Sequence, residues 1–221
     1  MKRTLICIGG GEIRSKETLK IDEQIALMAK EKAGEKRAVA VFVGTASHDS
    51  LPYFNSFRKT YTSNFDIKAD LALLTKKDIP MDKIKGKLEN ADMIYIGGGN
   101  TLFMLETWQK TGFLDMLIEA YNRGVIIAGL SAGAICWFED MYTDSAEGSD
   151  YKLEKGLGIL KGVMSPHYDN RAEFDSIATT FPLAYAVENN SAIVFENEVY
   201  VKTLSSGGNS YLFNEGKRVK L

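Results

Sequence analysis

One stretch decides the predicted fold: Val125-Ile126-Ile127-Ala128-Gly129-Leu130-Ser131-Ala132-Gly133-Ala134-Ile135-Cys136-Trp137. Its first half is an apolar, β-branched run that predicts a buried strand, and an apolar helical segment follows at once. Ser131 lies between them, with one glycine two residues before it and another two residues after it, which is the G-x-S-x-G pattern in a strand, turn and helix context. The stretch therefore predicts a parallel strand whose following turn exposes the Ser131 hydroxyl.

The predicted turn at Ser131 has the physical properties of a nucleophile site. Glycines at 129 and 133 allow a sharp, strained turn, because a side chain at either position would collide with the neighbouring strand or helix. The helix that begins after Ser131 directs unpaired N–H groups and the positive end of its dipole toward an anion formed at the hydroxyl. The alternative is that Gly129, Ser131 and Gly133 only build a tight βα turn.

The composition is that of an ordinary globular protein. A chain of 221 residues fits one α/β domain, expected over residues 1–221, and a net charge of −2 gives no bias toward nucleic acid or anionic membranes. The apolar run after Met1-Lys2-Arg3 covers only residues 5–8, so no export signal and no membrane span is predicted. Cys7 and Cys136 lie in apolar runs, which argues against a disulfide and favours a reducing, cytoplasmic location.

Strands and helices alternate along the first part of the chain. Strands are predicted at residues 4–8, 38–43, 70–74, 93–96 and 125–130, and helices at 15–32, 51–61, 101–110 and 113–123. This alternation predicts a mostly parallel sheet covered by helices on both faces. Glycine-rich turns fall at the carboxyl ends of the predicted strands, where such sheets bind ligands: residues 9–11, 44, 97–99 and 129–133.

Two further segments have a structural interpretation. The glycines at 9–11 resemble a dinucleotide-binding turn only loosely, because the third glycine of that fingerprint would fall at Arg14. A lysine-rich helix is interpreted as a solvent-facing surface rather than a phosphate site; it is predicted to contain Lys76, Lys77, Ile79, Lys83, Ile84, Lys85, Lys87 and Leu88.

The pattern changes after the helix that follows Ser131. Residues 140–155 are acidic and have no clear periodicity, so they are predicted to form a surface loop. A strand is predicted at 163–167 and a helix at 170–180. From 184 to 221 the apolar residues alternate with period two, which is typical of antiparallel hairpins at the edge of a sheet.

A serine hydroxyl needs a base, and the chain has two histidines. His167 ends a predicted strand and is assigned as the base, whereas His48, in the turn after the second strand, is given a structural role. The base also needs an acceptor on its second ring nitrogen. The acidic candidates are Glu188, Asp169, Asp144 and Glu147, and Glu188 is favoured because it lies at the end of a short predicted strand.

Gly97-Gly98-Gly99-Asn100 is the predicted source of a second oxyanion donor. Glycine lets a backbone approach a substrate closely, and the start of a helix supplies unpaired N–H groups. Asn100 is assigned as a substrate contact at the same turn. The alternative is that the three glycines simply form a turn.

Three segments in this order resemble the peptidase E (aspartyl dipeptidase) family of serine peptidases, which is related to cyanophycinase: Gly97-Gly98-Gly99-Asn100-Thr101, Gly129-Leu130-Ser131-Ala132-Gly133-Ala134 and Ser165-Pro166-His167-Tyr168. The resemblance extends from the first predicted strand to the last. It implies a three-layer αβα fold like that of the class I glutamine amidotransferase domain. It also implies Ser131 as nucleophile, His167 as base, and the N–H groups of Gly99 and Ala132 as oxyanion donors.

The resemblance further implies a preference for acidic residues, or for derivatives of a β-aspartyl backbone, in the substrate. Arg171, four residues after His167, is similar in placement to a substrate-binding arginine of cyanophycinase. A charge-assisted hydrogen bond from an arginine to a carboxylate contributes about 1.5–3 kcal/mol, which is enough for such a preference. The chain lacks the run of arginines expected of the polymer-degrading relatives, so it is not predicted to be a cyanophycinase.

The third catalytic position departs from the resemblance. The acidic residue of the family would fall on Asn189, one residue after Glu188, and a shift of one residue in a strand reverses the side-chain direction. A local bulge would bring Glu188 into place, and an asparagine could instead orient the histidine, as in some cysteine peptidases. The expected catalytic set is therefore Ser131, His167 and Glu188, with Asn189 and Asp169 as the alternatives to Glu188.

The sequence thus predicts a cytoplasmic serine peptidase that hydrolyses short peptides. No metal or other cofactor is expected, because two histidines without ligand spacing make no zinc site. Two alternatives remain, an esterase or amidase with the same site and a non-catalytic αβα binding module. A homodimer is left open as well, since the apolar helix 113–123 and the C-terminal hairpin could each bury a partner.

Overall fold

The computed structural model describes residues 1–76, 78, 80–145, 150–171 and 173–221. The strands in chain order are β1 Thr4–Ile8, β2 Val39–Val43, β3 Lys68–Ala72, β4 Met93–Ile96, β5 Ile126–Leu130, β6 Phe138–Thr143, β7 Lys152–Lys155, β8 Leu160–Ser165, β9 Leu183–Val187, β10 Ser191–Glu196, β11 Val199–Ser205, β12 Ser210–Asn214 and β13 Lys217–Lys220. The helices are α1 Leu19–Ala33, α2 Leu51–Phe65, α3 Met81–Glu89, α4 Thr101–Thr111, α5 Phe113–Asn122, α6 Ala132–Ile135 and α7 Phe174–Ala178. The predictions made for Lys77, Ile79 and Glu147 lie outside the described residues.

Seven strands form the first sheet, in the order β11-β10-β1-β5-β4-β2-β3. Strands β1 to β5 are mutually parallel, and β10 and β11 extend the sheet beyond β1 as an antiparallel pair. Strand β5 is central: Gly129 pairs with Cys7 of β1 on one side and with Ile96 of β4 on the other. Because Ser131 follows β5 directly, it emerges at the carboxyl edge in the middle of the sheet.

Helices cover both faces of this sheet. On one face, Ile25 of α1 and Phe57 of α2 pack in a cluster with Tyr95 of β4. On the other face, Trp108 of α4 and Leu117 of α5 pack in a second cluster, which contains the neighbouring β4 residues Ile94 and Ile96. Successive residues of a strand point to opposite faces, so both sides of the apolar strands are buried. The predicted αβα fold with a mostly parallel sheet is confirmed.

A second sheet was not predicted. Its six strands lie in the order β13-β12-β9-β8-β6-β7. The prediction of a surface loop at residues 140–155 is wrong, because this segment contains most of β6 and all of β7, which pair in antiparallel fashion. Phe138 and Met141 bury one face of β6 against the core that also holds Phe195 of β10. Of the predicted C-terminal hairpins, β10 and β11 lie at the edge of the first sheet, whereas β12 and β13 lie at the edge of the second.

Several predicted helices have different bounds in the structure. Helix α1 begins at Leu19 rather than at Ser15, and the predicted helix 170–180 reduces to α7. Helix α6 is a single turn, because the chain enters β6 at Phe138 soon after Ser131. In the described part of the chain, no helix combines the length and the apolar character that crossing a bilayer requires.

Candidate active site

Ser131 lies in the turn between β5 and α6 with φ 52° and ψ −107°. This conformation is strained for a residue with a side chain and is of the kind found at nucleophile turns. A Cβ atom on Gly129 would lie 1.9 Å from the carbonyl oxygen of Gly133, and one on Gly133 would lie 2.5 Å from that of Ile96. Both glycines are therefore needed for α6 to pack this closely on the sheet.

His167 contacts Ser131 directly. Its Nε2 atom lies 2.9 Å from Ser131 Oγ. The histidine follows β8 in a left-handed conformation, with φ 50° and ψ 38°. The other histidine, His48, packs its ring on Phe103 with centroids 4.2 Å apart, and none of its contacts among the described residues reaches Ser131. The structure thus brings together the serine and the histidine that the sequence selects.

Asn189, and not Glu188, lies at the second ring nitrogen of His167. The distance from Asn189 Oδ1 to His167 Nδ1 is 2.6 Å. The Glu188 carboxylate instead accepts hydrogen bonds from the backbone and side-chain nitrogens of Asn209, at 2.8 Å each, and from the Tyr211 hydroxyl at 3.3 Å. The expectation that Glu188 orients the histidine is therefore wrong. The physical reason is side-chain alternation: β9 keeps a regular register with β12 up to Val187, and the N–H of Glu188 continues this pairing by donating to the carbonyl oxygen of Asn209 at 3.0 Å, so Glu188 and Asn189 point to opposite sides.

The other acidic candidates lie near the site in different roles. Asp169 Oδ1 accepts from the backbone N–H of Asn189 at 2.9 Å, and its Oδ2 accepts from Asn189 Nδ2 at 2.7 Å. Asp169 is thus linked to His167 through Asn189. Asp144 Oδ2 accepts from the Tyr151 hydroxyl at 2.7 Å. Within the described ranges, no three His, Cys, Asp or Glu side chains are grouped as metal ligands.

The turn that follows β1 holds the site together through the backbone. The carbonyl oxygens of three consecutive residues, 8–10, accept from the N–H groups of Ser131 at 2.9 Å, His167 at 3.0 Å and Asn190 at 3.0 Å. The nucleophile turn, the histidine and the neighbour of Asn189 come from three separate loops. One short segment of backbone therefore fixes their relative positions.

Gly10 has a role that the sequence analysis did not identify. A Cβ atom at this position would lie 2.1 Å from Asn189 Oδ1 and 2.3 Å from His167 Nδ1. Only glycine leaves room for these two atoms to meet beside the turn. The available signal was the run Gly9-Gly10-Gly11 at the carboxyl end of the first strand, whose pattern alone suggests only a loose likeness to a dinucleotide-binding turn.

The two predicted oxyanion donors, Gly99 and Ala132, belong to the two turns that approach each other at Ser131. Gly99 has φ 137°, and a Cβ atom there would lie 2.2 Å from the carbonyl oxygen of Ala46, so the turn requires glycine. A Cβ atom on Gly98 would lie 3.4 Å from that of Ser131, which shows how closely the two turns approach. Within the described part of the chain, the N–H groups of Gly99 and Ala132 donate to no protein acceptor. These donors are thus available to a ligand.

Ser131, His167 and Gly99 lie where two cavities meet, one of about 380 Å³ and the other of about 610 Å³. Asn100 lines the smaller cavity, but its side-chain oxygen caps α4 by accepting from the N–H of Phe103 at 2.8 Å. Its predicted role as a substrate contact therefore competes with a structural one.

Arg171 also lines the smaller cavity and brings a buried positive charge to it. Only 7 % of its surface is exposed, and its Nε and Nη1 atoms have no hydrogen-bond partner among the described residues. The guanidinium stacks on the Tyr151 ring, with its central carbon 3.2 Å from the centroid, and donates from Nη2 to the Tyr151 hydroxyl. Burial lowers the pKa of Arg171, although a guanidinium stays protonated in proteins. Arg171 therefore places a positive charge with two unpaired donors in the wall of the smaller cavity.

The sequence is also similar to those of known proteins. The profile of Peptidase family S51 matches residues 5–203. The chain belongs to Peptidase family S51. The "Uncharacterized peptidase YgaJ" of Bacillus subtilis (strain 168) is 34% identical to this family S51 chain over 212 residues, covering 93% of this chain and 88% of the relative.

Two further comparisons give one more relative of this S51 chain and one protein with a similar fold. "Peptidase E" of Escherichia coli O1:K1 / APEC is 30% identical over 89 residues, which is 38% of this chain and 37% of that protein. A crystal structure of a peptidase from an acI-B1 Actinobacterium has a TM-score of 0.70 at 18% identity and covers 100% of this chain and 94% of its own. The resemblance to peptidase E is confirmed, and family membership supports a peptidase.

Proposed function

We propose that this S51 protein is a serine-type peptidase that hydrolyses short peptides containing an acidic residue. The observation that carries the proposal is a continuous hydrogen-bonded series. Ser131 Oγ lies 2.9 Å from His167 Nε2, and His167 Nδ1 lies 2.6 Å from Asn189 Oδ1. A serine and a histidine in this relation form a nucleophile and its base, with the third side chain orienting the ring.

The reaction proceeds by acyl transfer through Ser131. Its Oγ attacks the scissile carbonyl carbon while His167 Nε2 takes the hydroxyl proton. The N–H groups of Gly99 and Ala132 stabilise the oxyanion, and one such donor contributes about 3–4 kcal/mol in the transition state. The C–N bond breaks as the imidazolium gives its proton to the leaving amine. A water molecule then attacks the resulting ester with help from the same base, which releases the acid and restores the hydroxyl.

Arg171 gives the site its selectivity for an acidic group. A buried guanidinium with unpaired donors is costly, and a substrate carboxylate in the smaller cavity would supply the countercharge that Arg171 lacks among the described residues. The rest of a short peptide would occupy the larger cavity on the other side of Ser131. The two cavities together favour a small substrate over a long chain.

A serine-directed fluorophosphonate tests the proposal. The folded protein should gain one reagent adduct on Ser131, detected by intact-mass and peptide mass spectrometry, and the Ser131→Ala variant should gain none. A panel of dipeptides with Asp or Asn at the same position, together with matched esters, then defines the substrate. Absence of an adduct on folded protein would favour a non-catalytic binding module. Turnover of esters without turnover of peptides would favour an esterase.

A further inference from the structure

The Asn189 side chain is held from two sides by groups with opposite requirements. On one side its amide faces the Asp169 carboxylate, with Nδ2 2.7 Å from Oδ2. On the other side it faces the imidazole, with Oδ1 2.6 Å from His167 Nδ1. The backbone N–H of Asn189 also donates to Asp169 Oδ1 at 2.9 Å, so the carboxylate accepts two hydrogen bonds from this residue.

The carboxylate decides which way the amide points. An ionised carboxylate only accepts hydrogen bonds, whereas an amide has a donating and an accepting end. Asn189 must therefore turn its NH₂ group to Asp169, which leaves its carbonyl oxygen facing the ring. An oxygen at 2.6 Å from Nδ1 needs a donor there, so the proton of the neutral imidazole lies on Nδ1. Nε2 is then unprotonated and able to accept from Ser131.

We propose that Asp169 is a positioning residue that acts through Asn189 to hold His167 in the tautomer whose Nε2 can take the Ser131 proton. The inference rests on the proposed function for the role of Ser131. The described contacts of the Asp169 carboxylate are with Asn189 and not with the reacting atoms. Its effect comes from geometry rather than from field strength, because exposed charges are strongly screened whereas the orientation of an amide between a donor and an acceptor is not.

Asp169→Asn is the direct perturbation. The amide that replaces the carboxylate can satisfy only one of the two N–H groups of Asn189, and its own NH₂ opposes the other. Asn189 is then free to flip, which points its NH₂ at the ring and favours the tautomer with the proton on Nε2. That tautomer has no acceptor for the Ser131 proton.

Nitrogen-15 NMR of the imidazoles reads this tautomer without any need for turnover. The chain has two histidines, and a His48→Asn variant assigns the remaining signals to His167. At a pH where the ring is neutral, the unmodified protein should show a protonated Nδ1 and an unprotonated Nε2. The Asp169→Asn variant should shift toward the opposite tautomer. A proton on Nε2 in the unmodified protein would overturn the proposal.

Fluorophosphonate labelling measures the chemical consequence. Asp169→Asn should lower the limiting labelling rate by about 10²–10⁴-fold, the usual contribution of a general base, with little change in reagent affinity. Asp66→Asn is the matched control, since it removes an exposed aspartate that caps α2 and pairs with Arg37, and it should label normally. An unchanged labelling rate in Asp169→Asn would also overturn the proposal.

A charge swap separates positioning from simple loss of an aspartate. In the double variant Asp169→Asn with Asn189→Asp, the carboxylate now at position 189 accepts from both Nδ1–H and the NH₂ of the amide at position 169, and the net charge is unchanged. Labelling should return to within about tenfold of the original rate, with His167 again protonated on Nδ1. A double variant as slow as the single one would contradict the proposal. Absence of labelling in the unmodified protein would refute the proposed function instead, and the tautomer measurement would still stand.

Discussion

Replacing Gly10 with alanine should slow the reaction at Ser131 without unfolding the protein. The new Cβ atom would lie 2.1 Å from Asn189 Oδ1 and 2.3 Å from His167 Nδ1. Both separations must widen to at least 3.0 Å, below which such contacts are essentially never seen, so each atom has to move by about 0.7–0.9 Å. Gly10 itself does not have a positive φ, so alanine fits its backbone conformation. The strain therefore falls on the two side chains.

The consequence for activity follows from the distances. His167 Nε2 lies 2.9 Å from Ser131 Oγ, and a displacement of nearly 1 Å removes that hydrogen bond. Misplacement on this scale costs about 100-fold in rate. The unfolding free energy should change by only about 1–2 kcal/mol, because two partly exposed side chains can move where a packed core could not.

Labelling kinetics and urea unfolding together test this reasoning. Gly10→Ala should label about 100-fold more slowly with a fluorophosphonate and still unfold cooperatively. Gly86→Ala is the matched control: no atom lies within 4 Å of a Cβ there, so it should label normally and gain about 0.5–1 kcal/mol as a helical alanine. A Gly10→Ala protein that labels within about twofold of the original rate would refute the idea that this glycine makes room for the histidine and its partner.

Two other predictions concern selectivity and stability. Arg171→Met should lower kcat/KM for an Asp-containing dipeptide about 10–100-fold and leave its Asn counterpart unchanged, measured as the ratio of the two substrates; an unchanged ratio would remove Arg171 from recognition. Burial raises the pKa of Asp22 to about 6 against hydrogen bonds from Thr18 and Tyr61 that lower it, so its contribution to stability is full at low pH and is lost as the pH rises through about 6. The free energy of unfolding of Asp22→Asn, relative to that of the unmodified protein, should therefore rise by about 2–3 kcal/mol between about pH 4 and pH 8, as measured by urea melts. A difference that does not change with pH would contradict the burial of this charge.

The sequence was sufficient for the parts of the site that depend on local pattern. The turn at Ser131 needs small residues at fixed offsets between a strand and a helix, and both glycines prove sterically required. His167 could be selected because the chain has two histidines and this one comes at the end of a predicted strand. Strands β1, β2, β4 and β5 were found for the same reason, since each is an apolar run that ends at a glycine-containing turn, whereas β3 has no glycine near it and lies two residues before its predicted position.

The sequence was insufficient where contacts between distant segments decide the outcome. Strand β7, Lys152–Lys155, is charged and mostly exposed, and its only reason to be a strand is its pairing with β6. Glu188 is the chemically preferred partner for a histidine, yet alternation along β9 turns it toward Asn209. The role of Gly10 was hidden because the atoms it admits come from residues more than 150 positions away.

Asn189 and Asp169 together take the place of a single acidic residue beside His167. Asn189 Nδ2 lies 2.7 Å from Asp169 Oδ2, so an acid at 189 would face a second carboxylate at that distance, and one of the two would have to keep a proton. A neutral amide avoids this conflict and still offers His167 an oxygen. The negative charge is displaced to Asp169, where its attraction for an imidazolium is weaker because Coulomb energy falls with distance and with exposure to water. The orientation of the His167 ring is not weakened by this distance, because it depends on the hydrogen bonds that link His167, Asn189 and Asp169, and these are all present. The neutral residue at 189 is therefore no argument for a lost activity: the acceptor and the charge that one acid would supply are divided between two side chains.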